Sequence, residues 1–455
     1  MARLFSVTPY QALRRARRTG QLQASPPAAL AGSFIVLILI GTLLLVLPFA
    51  QQRPFGAFEA FFTATAAVTV TGLTLIDPAR DLTHFGQFVV LALIQIGGLG
   101  FVTFAIIAAL TLGKRVSLRY QALALEAFNQ TSVARIRQTA LSVLKFSLAI
   151  ELAAALVLTL WWWRHADLPH AAWMALFHTV SAFNNAGVSL YHGSLALFAH
   201  DPVVTFILSG CVILGGLGFT VLADIHQKQS WRKFTHYTRL MLLGTLALNL
   251  IGLLVFWAIE SGNAATLGSL PLAEQGLASW MQIVSTRTAG FTSLDITQLR
   301  ESSLFLLIML MFIGGGSLST ASGIKLGTFI VLLAVVRSYI LQRREVVLMH
   351  RTLGPETIQK ALALLMVSGA LVCLGTFVIC LIEDQPFLFI LFAVVATFST
   401  AGMDPGLTAG FSTTSHVLMV ILMFIGRIGP LTLVYSLGTQ QHSRVRYPEA
   451  QIQVG

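Results

Sequence analysis

Charge is the property that this sequence has least of, since Asp, Glu, Lys and Arg together make up 10% of its 455 residues. Soluble globular domains carry about 25% charged residues. A chain so poor in charge has too few polar groups to cover a surface that faces water. Hydrophobic residues make up 56% of the chain. The composition therefore excludes an ordinary soluble domain and indicates a protein whose solvent is lipid.

Cysteine is also scarce, and Cys211, Cys373 and Cys380 all lie in apolar runs, so we expect no disulfide. No cluster of side chains suggests a metal site. A membrane enzyme would need a convergent set of titratable groups, whereas the apolar runs supply only scattered ones such as Glu151. The chain also lacks a GxGxxG dinucleotide fingerprint between a strand and a helix. We therefore predict neither an enzyme nor an organic cofactor.

Apolar runs of roughly 20 residues, the length of a membrane-crossing helix, recur along the chain. The first run follows the basic residues Arg14 to Arg18 and could mimic a secretory signal. It is too long for a typical signal core and many runs follow it, so we expect a retained helix. The predicted spans lie near 29–49, 87–112, 138–163, 202–224, 239–259, 303–341 (interrupted), 360–382 and 415–438.

The net charge of +11 suggests nucleic acid as a partner, but the distribution of the charges argues against it. Most Lys and Arg residues fall in alternate loops, which the positive-inside rule assigns to the cytoplasm together with the N-terminus. Most acids fall in the opposite loops, where an acidic mouth would attract cations. Ordinary solvated loop carboxylates explain any single one equally well. These acids include Asp77, Asp81, Asp167, Asp201, Glu260, Asp295, Glu383, Asp384 and Asp404.

A fourfold internal repeat organises the chain. Four segments combine a short apolar run, a stretch rich in Thr and Ser, and a glycine: Gly72, Gly187, Gly290 and Gly402. Each is followed by an apolar span with a glycine cluster, which begins 25, 28, 24 or 24 residues after that glycine. So constant an interval indicates four copies of one structural unit.

The short apolar runs 56–70, 170–184, 273–287 and 386–399 are too short to cross a bilayer and too apolar for ordinary loops. Runs of this length suit re-entrant helices. Two full spans separate successive repeat glycines, so all four should lie on the same, outer side. An inverted-repeat transporter would place matching motifs on opposite faces. We therefore predict an all-α polytopic membrane protein with four helix–pore-loop–helix repeats around a pseudo-fourfold central pore.

Each glycine segment is predicted to be part of a cation-selectivity filter, in which carbonyl oxygens replace the water shell of an ion. Glycine is needed where the backbone adopts conformations closed to other residues. Small residues also serve helix packing in membranes, but four matched copies favour a filter. Carbonyl coordination suits weakly hydrated monovalent cations such as potassium, whereas calcium and magnesium sites recruit carboxylates, and the repeat pattern does not separate potassium from sodium. The predicted ion-binding residues are Val70, Thr71, Gly72, Asn185, Ala186, Gly187, Thr288, Ala289, Gly290, Thr400, Ala401 and Gly402.

The third repeat interrupts its second span with Gly and Ser residues, which disfavour a continuous helix. We predict a mobile gate loop below the filter, with a packing kink as the alternative. Its residues are Gly314, Gly315, Gly316, Ser317, Ser319, Thr320, Ser322, Gly323 and Lys325.

Three cationic side chains accompany these segments. Arg427 would place positive charge beneath the filter unless the loop or a carboxylate neutralises it. Lys325 could instead extend its ammonium towards the cytoplasm. Arg287 is expected to be paired, and His178 is expected to pack within its short helix.

At these residues the sequence resembles the Trk/Ktr/HKT superfamily of potassium transporters, and within it the KtrB-type membrane subunit. The motifs that carry the resemblance are TVTGL, QIGGLGF, SAFNNAG, LGGLGFT, STRTAGF, SGIK and GRIGPLT, which span essentially the whole chain. The resemblance implies potassium uptake at filter glycines Gly72, Gly187, Gly290 and Gly402, a gate loop at Gly314 to Gly323, and Arg427 as the pore arginine. The fourth segment departs from the pattern, because Asp404 and Pro405 follow its glycine.

The resemblance also implies a homodimer in the plasma (inner) membrane, a cytoplasmic KtrA-type nucleotide-binding ring on the basic inner loops, and sodium dependence. A secondary cation transporter with alternating access is the alternative function. We divide the chain into an N-terminal tail (1–28), repeat 1 (29–118), repeat 2 (119–235), repeat 3 with the broken inner helix (236–350), repeat 4 (351–440) and a C-terminal tail (441–455).

Overall fold

The computed structural model describes residues 26–100 and 133–429, and α-helices dominate them. The helices are α1 (Pro26–Val46), α2 (Ala57–Thr69), α3 (His84–Leu99), α4 (Val133–Trp162), α5 (Leu168–Phe183), α6 (Pro202–Leu217), α7 (Phe219–Lys228), α8 (His236–Glu260), α9 (Leu272–Ser285), α10 (Glu301–Phe312), α11 (Leu326–Ile340), α12 (Pro355–Ile382), α13 (Phe387–Phe398) and α14 (Thr413–Ile428). Antiparallel strands β1 (Val347–Leu348) and β2 (Arg351–Thr352) form a small hairpin between α11 and α12. The predicted tails and the basic loop at 113–132 lie wholly or mostly outside the described residues.

The four predicted re-entrant helices are present as α2, α5, α9 and α13, with lengths of 13, 16, 14 and 12 residues. A proline lies at or near the start of each: Pro54, Pro169, Pro271 and Pro386. Proline suits a helix start because its missing N–H would have no partner there. At a rise of 1.5 Å per residue, helices this short cross only part of a bilayer.

Within residues 26–100 and 133–429, three helices are long and apolar enough to cross a membrane by themselves: Leu141–Trp162 within α4, together with α8 and α12. The pair α6–α7 adds a fourth if it is taken as one span, although the two helices bend by 98° at their junction. The predicted continuous span at 202–224 is therefore wrong. The spans predicted at 87–112 and 415–438 begin with α3 and α14 and continue beyond the described residues.

The break after α6 has a physical cause in the glycine clusters. Gly218 adopts a φ of 99°, and helices α3 and α14 end at Gly100 and Gly429 with φ values of 78° and 94°. Positive φ is open to glycine and costly for other residues. We predicted a break only in the third repeat, but the last glycine of the cluster ends the helix in the other three repeats as well.

The repeats close into a ring around one axis. Each short helix packs against the second span of the preceding repeat: α5 on α3, α9 on α6, and α13 on α10. The ring closes where α2 of the first repeat packs on α14 of the fourth. This arrangement confirms the predicted fold class, whereas the exact repeat boundaries stay predictions.

The constant interval between the repeat glycine and the glycine cluster also has a structural reason. A Cβ added at Gly97 would collide with the carbonyl of Val68, at the end of the short helix of the same repeat. Gly215 meets the Phe183 carbonyl, and Gly426 meets the Phe398 carbonyl, in the same way. The first glycine of each of these clusters therefore lets the second span approach the end of the short helix.

Candidate functional site

Each repeat places a turn with an unusual backbone immediately after its short helix. Two residues in each turn, separated by one residue, have positive φ. The pairs are Val70 (57°) with Gly72 (86°), Asn185 (58°) with Gly187 (69°), Thr288 (63°) with Gly290 (74°), and Thr400 (52°) with Gly402 (71°). Alternating φ signs turn successive carbonyls towards one side of the chain. A left-handed residue other than glycine costs about 1–2 kcal/mol, so four of them at matched positions indicate a shared functional constraint.

The four turns meet. A Cβ at Gly72 would collide with the carbonyl oxygen of Ala186, and a Cβ at Gly187 with that of Ala289. A Cβ at Gly290 would lie too close to the carbonyl oxygen of Ala401. One at Gly402 would collide with the carbonyl oxygen of Thr71, which closes the circle. The four glycines also line a single cavity of about 460 Å³, which we call the vestibule.

Main-chain hydrogen bonds attach each turn to its short helix. The N–H groups of Thr71, Ala186 and Ala401 donate to carbonyls five residues earlier, over 2.7, 2.8 and 2.7 Å. The third turn differs, because Ala289 donates to the Ser285 carbonyl, only four residues earlier, over 2.9 Å, and Gly290 donates to the same carbonyl over 3.2 Å. The hydrogen-bond pattern that attaches the third turn to its short helix therefore differs from the pattern in the other three turns.

The residue three positions before each glycine anchors the turn in a manner specific to its repeat. Thr69 and Ser399 bond within their own short helices, to the carbonyls of Thr65 (2.7 Å) and Val395 (2.5 Å). The Asn184 amide bonds to the Val180 carbonyl of its own short helix and also reaches Gln95 of α3 and Glu151 of α4. The Arg287 guanidinium donates to the Gly314 carbonyl over 2.9 Å. Two turns are therefore anchored locally, and two are anchored to other elements.

Asn185 links the second turn both to the third turn and to the loop between α10 and α11. Its Nδ2 donates to the carbonyl of Arg287 over 3.0 Å. Its Oδ1 accepts from the Thr320 hydroxyl over 2.8 Å. The Thr320 hydroxyl also lies 3.1 Å from the Phe183 carbonyl at the end of α5. Thr320 therefore lies directly against the base of the second turn.

The predicted gate residues form one loop, at 313–325, which we call the gate loop. Its two ends are joined, since Gly314 donates to the Ile324 carbonyl over 2.8 Å. Gly316 donates to the Gly216 carbonyl (2.7 Å), and Ser317 donates to the Tyr237 hydroxyl (3.0 Å). Lys325 does not extend away from the loop, because its ammonium donates to the Ala321 carbonyl over 2.6 Å. The loop is thus fixed against the second repeat through its backbone.

Arg427 joins three repeats at the gate loop. One guanidinium nitrogen donates to the Thr320 carbonyl and lies 3.2 Å from the Ser322 hydroxyl. The other donates to the carbonyls of Gly97 (2.5 Å) and Gly98 (3.1 Å) in the first repeat. The fourth repeat therefore holds the gate loop of the third repeat against the first. The loop supplies two of these four partners of the arginine, and the first repeat supplies the other two.

The other two side chains flagged in the sequence are both buried. Arg287 forms none of the ion pairs found among the described residues, and its Nε and Nη1 atoms have no hydrogen-bond partner there. The expected pairing of Arg287 is therefore with a carbonyl and not with an acid. His178 contacts the Met174 carbonyl (2.7 Å) and the Ser189 hydroxyl (3.1 Å), as the expected packing residue of its short helix.

The vestibule holds fewer free carboxylates than the loop composition suggested. Asp77 and Asp404 line it, and Asp77 bonds to His192 over 2.9 Å. Asp404 Oδ1 accepts from Gly406 N, Leu407 N and both donors of Thr408, so it fixes the loop that follows the fourth turn. Asp404, at which the fourth segment departs from the family pattern, therefore stabilises the loop on the vestibule side of the fourth turn. Burial raises the pKa of Tyr191, which also lines the vestibule, to about 12.

Comparisons with known proteins agree with this geometry. The profile of the family TrkH, described as a cation transport protein, matches residues 6–441. The chain belongs to the TrkH family of cation transport proteins. It is 42% identical to Ktr system potassium uptake protein B of Bacillus subtilis (strain 168), over 95% of this chain and 97% of that protein. It is 39% identical to the protein of the same name from Vibrio alginolyticus, over 94% and 95%.

These likenesses confirm the resemblance to the KtrB type, and membership in the family together with the apolar helices identifies a multi-pass membrane protein. Among solved structures, the crystal structure of the potassium transporter TrkH from Vibrio parahaemolyticus shares the fold, with a TM-score of 0.70. It is 20% identical and covers 90% of this chain and 85% of that one.

Sequence reasoning missed one cluster beside the site, formed by Gln95, Glu151 and Asn184. Glu151 was visible as an acid within an apolar span, which by itself marks a functional candidate. Its partners were not visible, because they lie 56 residues before it and 33 residues after it in the chain.

Proposed function

We propose that this chain is the pore-forming subunit of a Ktr-type system and that it takes up potassium across the plasma (inner) membrane. The observation that carries the proposal is a closed circle of contacts. Each of the glycines Gly72, Gly187, Gly290 and Gly402 packs closely against a carbonyl of the next turn. The substrate is proposed from the potassium uptake proteins that the chain resembles over nearly its whole length.

The turns select the ion through their main-chain oxygens. Around the axis, Thr71, Ala186, Ala289 and Ala401 supply one matched carbonyl each, and the flanking filter residues supply further ones. Such carbonyls replace the water shell of a potassium ion. The carboxyl ends of α2, α5, α9 and α13 adjoin the turns and carry about half an elementary charge of negative sign each, which stabilises a cation there. The filter segments contain no carboxylate, in keeping with a monovalent ion.

The gate loop controls passage on the side of the filter away from the vestibule. Thr320 contacts the second turn through its hydroxyl, and Arg427 of the fourth repeat donates a hydrogen bond to the carbonyl of the same residue. Backbone that is not helical at membrane depth is tolerated where it is buried in protein or lines a water-filled path. Opening requires either that the bonds between Arg427 and the gate loop break or that Arg427 and the gate loop move together.

The remaining parts of the proposal concern assembly and regulation. The subunit forms a homodimer with one pore in each chain, and a KtrA-type nucleotide-binding ring docks on the basic inner loops. The N-terminus lies in the cytoplasm, as the distribution of Lys and Arg indicates. Sodium activates transport. The names of the Ktr relatives support a multi-subunit system.

Replacing Gly290 tests the filter. Gly290→Ser adds a Cβ at a φ of +74°, against the carbonyl of Ala401. A left-handed residue with a side chain costs about 1–2 kcal/mol, so we expect the potassium-over-sodium permeability ratio to fall about tenfold. The ratio is measured with the purified full-length chain in liposomes under opposed potassium and sodium gradients.

Gly276→Ser is the matched control, because Gly276 lies in α9 of the same repeat and an added Cβ there meets no atom within 4 Å. We expect this control to keep the selectivity of the unaltered chain. An unaltered ratio in Gly290→Ser would reject the filter assignment at this turn. Flux that saturates with a fixed ion stoichiometry would instead favour alternating access.

A further inference from the structure

Glu151 is a buried acid in the middle of a membrane-crossing helix, and no step proposed above uses it. It lies near the centre of the apolar segment Leu141–Trp162, and only 2% of its surface is exposed. None of the ion pairs among the described residues involves it. Two nearby basic residues have other surroundings. Lys145 of the same helix is exposed, and His226 of the neighbouring helix α7 makes an edge-to-face contact with Phe146. The carboxyl group thus has no cationic partner in this part of the chain.

The partners of Glu151 are two neutral amides from two other helices. Gln95 of α3 donates from Nε2 to Glu151 Oε2 over 3.1 Å. Asn184, at the end of α5, lies with Nδ2 3.2 Å from Oε1 of Glu151 and 2.7 Å from Oε1 of Gln95. The same Nδ2 lies 2.9 Å from the Val180 carbonyl. Three helices from two repeats therefore meet in one hydrogen-bonded cluster.

The environment favours the uncharged form of this carboxyl group. A buried ion without a counter-charge costs several kcal/mol, and an ionised acid at the centre of a bilayer is expensive on every scale. Two amides satisfy hydrogen bonds but supply no net positive charge. Cys211, the titratable side chain that α6 brings into electrostatic range, supplies none either. A protonated Glu151 therefore fits the site better than a carboxylate does.

The cluster lies directly behind the second filter turn. Asn184 is the last residue before Asn185, whose amide holds the third turn through the Arg287 carbonyl. The next residue, Ala186, presents the carbonyl oxygen on which Gly72 is seated. The equivalent residues Thr69 and Ser399 find their bonds within their own short helices. Asn184 keeps the equivalent local bond, to the Val180 carbonyl, and adds bonds to Gln95 and Glu151, whereas the bonds of Thr69 and Ser399 stay within their own repeats.

We infer that Glu151 is a positioning residue of the selectivity filter, which as an uncharged carboxyl group holds Asn184 and through it fixes the second turn. This inference rests on the proposed function, because it treats the turns as a filter. Glu151 does not touch the ion, and its negative charge plays no part. What matters is its hydrogen bonding to the two amides at that depth.

The test compares Glu151→Gln with Glu151→Leu in the full-length chain, reconstituted in liposomes under opposed potassium and sodium gradients. Glutamine keeps the size and hydrogen bonding of a neutral acid, so the potassium-over-sodium permeability ratio should stay within about twofold of the unaltered chain. Leucine leaves the two amides unpaired, and the ratio should fall about tenfold. Ser147→Ala is the matched control, since Ser147 is buried one turn earlier in α4 and, among the described residues, bonds only to Val143 of its own helix. It should change nothing.

The outcomes separate the possible explanations. Equal loss in Glu151→Gln and Glu151→Leu would show that the charge or a bound cation matters, and would overturn the inference. Unaltered selectivity in Glu151→Leu would overturn it too, and if Gly290→Ser still lowers the ratio, the filter assignment survives. If neither Glu151→Leu nor Gly290→Ser changes the permeability ratio, the proposed function itself fails. Should Glu151→Leu not fold, Gln95→Met removes one of the two partners, and the expected loss is about threefold.

Discussion

Replacing Arg427 with methionine should open the proposed gate. The guanidinium contributes two hydrogen bonds to the gate loop, to the Thr320 carbonyl and the Ser322 hydroxyl, and two more to the first repeat. Methionine fills similar space in an apolar span but cannot donate. The variant therefore unties the loop from the first and fourth repeats, and it also removes a positive charge from the proposed cation path.

The magnitude follows from the two bonds on the loop side. A hydrogen bond to a charged group contributes about 1.5–3 kcal/mol net, so the two together hold the closed loop by at least about 3 kcal/mol. Every 1.4 kcal/mol is a factor of ten, so the equilibrium between closed and open loop should shift by about 100-fold. We expect potassium flux into liposomes to rise by one to two orders of magnitude, with the upper limit set by a fully open pore.

Lys325→Met is the matched comparison. Lys325 is a cation of the gate loop itself, and its bond goes to Ala321 of the same loop. Removing it unties nothing from another repeat, and we expect less than about a threefold change in flux. The reasoning is refuted if Arg427→Met leaves the flux unaltered or lowers it in a folded protein. An equal rise in both variants would show that charge alone, and not the tether, limits flux.

Two further predictions concern the loops on the vestibule side. Asp404→Asn keeps the Oδ1 acceptor but removes charge from the vestibule, so uptake at low external potassium should fall about twofold, and high salt should abolish the difference. Glu383 lies outside the spans. Burial acts to raise the pKa of its carboxyl group, but hydrogen bonds from Ser412 and Ser415 outweigh this effect. They hold the pKa of Glu383 below its ordinary value. Its stabilising effect should be present at neutral pH and lost as the pH falls through that lowered pKa. Thermal unfolding of Glu383→Gln should therefore depend less on pH in the acidic range, and parallel profiles would contradict this.

The fourfold plan could be predicted from sequence because its signals are local and repeated. Each short helix is an apolar run flanked by proline, and each turn contains a glycine that the backbone requires at positive φ. The interval from that glycine to the cluster follows from one contact, between a cluster glycine and the end of the short helix. Repetition converted weak local signals into a reliable pattern.

The parts that escaped prediction depend on contacts between distant segments. The 98° bend after α6 arises at Gly218, the last glycine of a cluster in a span that we predicted to be uninterrupted. The partner of Arg287 is a carbonyl 27 residues further along the chain, and no side-chain pattern marks a carbonyl as an acceptor. Gln95, Glu151 and Asn184 come from three helices, and no local pattern in the sequence marks them as partners of one another.

The central claim is that four turns surround one ion with main-chain oxygens. The most direct measurement is an experimental structure of the full-length chain in lipid with thallium in place of potassium, since thallium scatters strongly and can be located by anomalous diffraction. We predict an anomalous peak on the axis, bounded by the carbonyls of Thr71, Ala186, Ala289 and Ala401 and enclosed by the four glycines. Thallium absent from this ring but bound elsewhere, for example beside Glu151, would contradict the account.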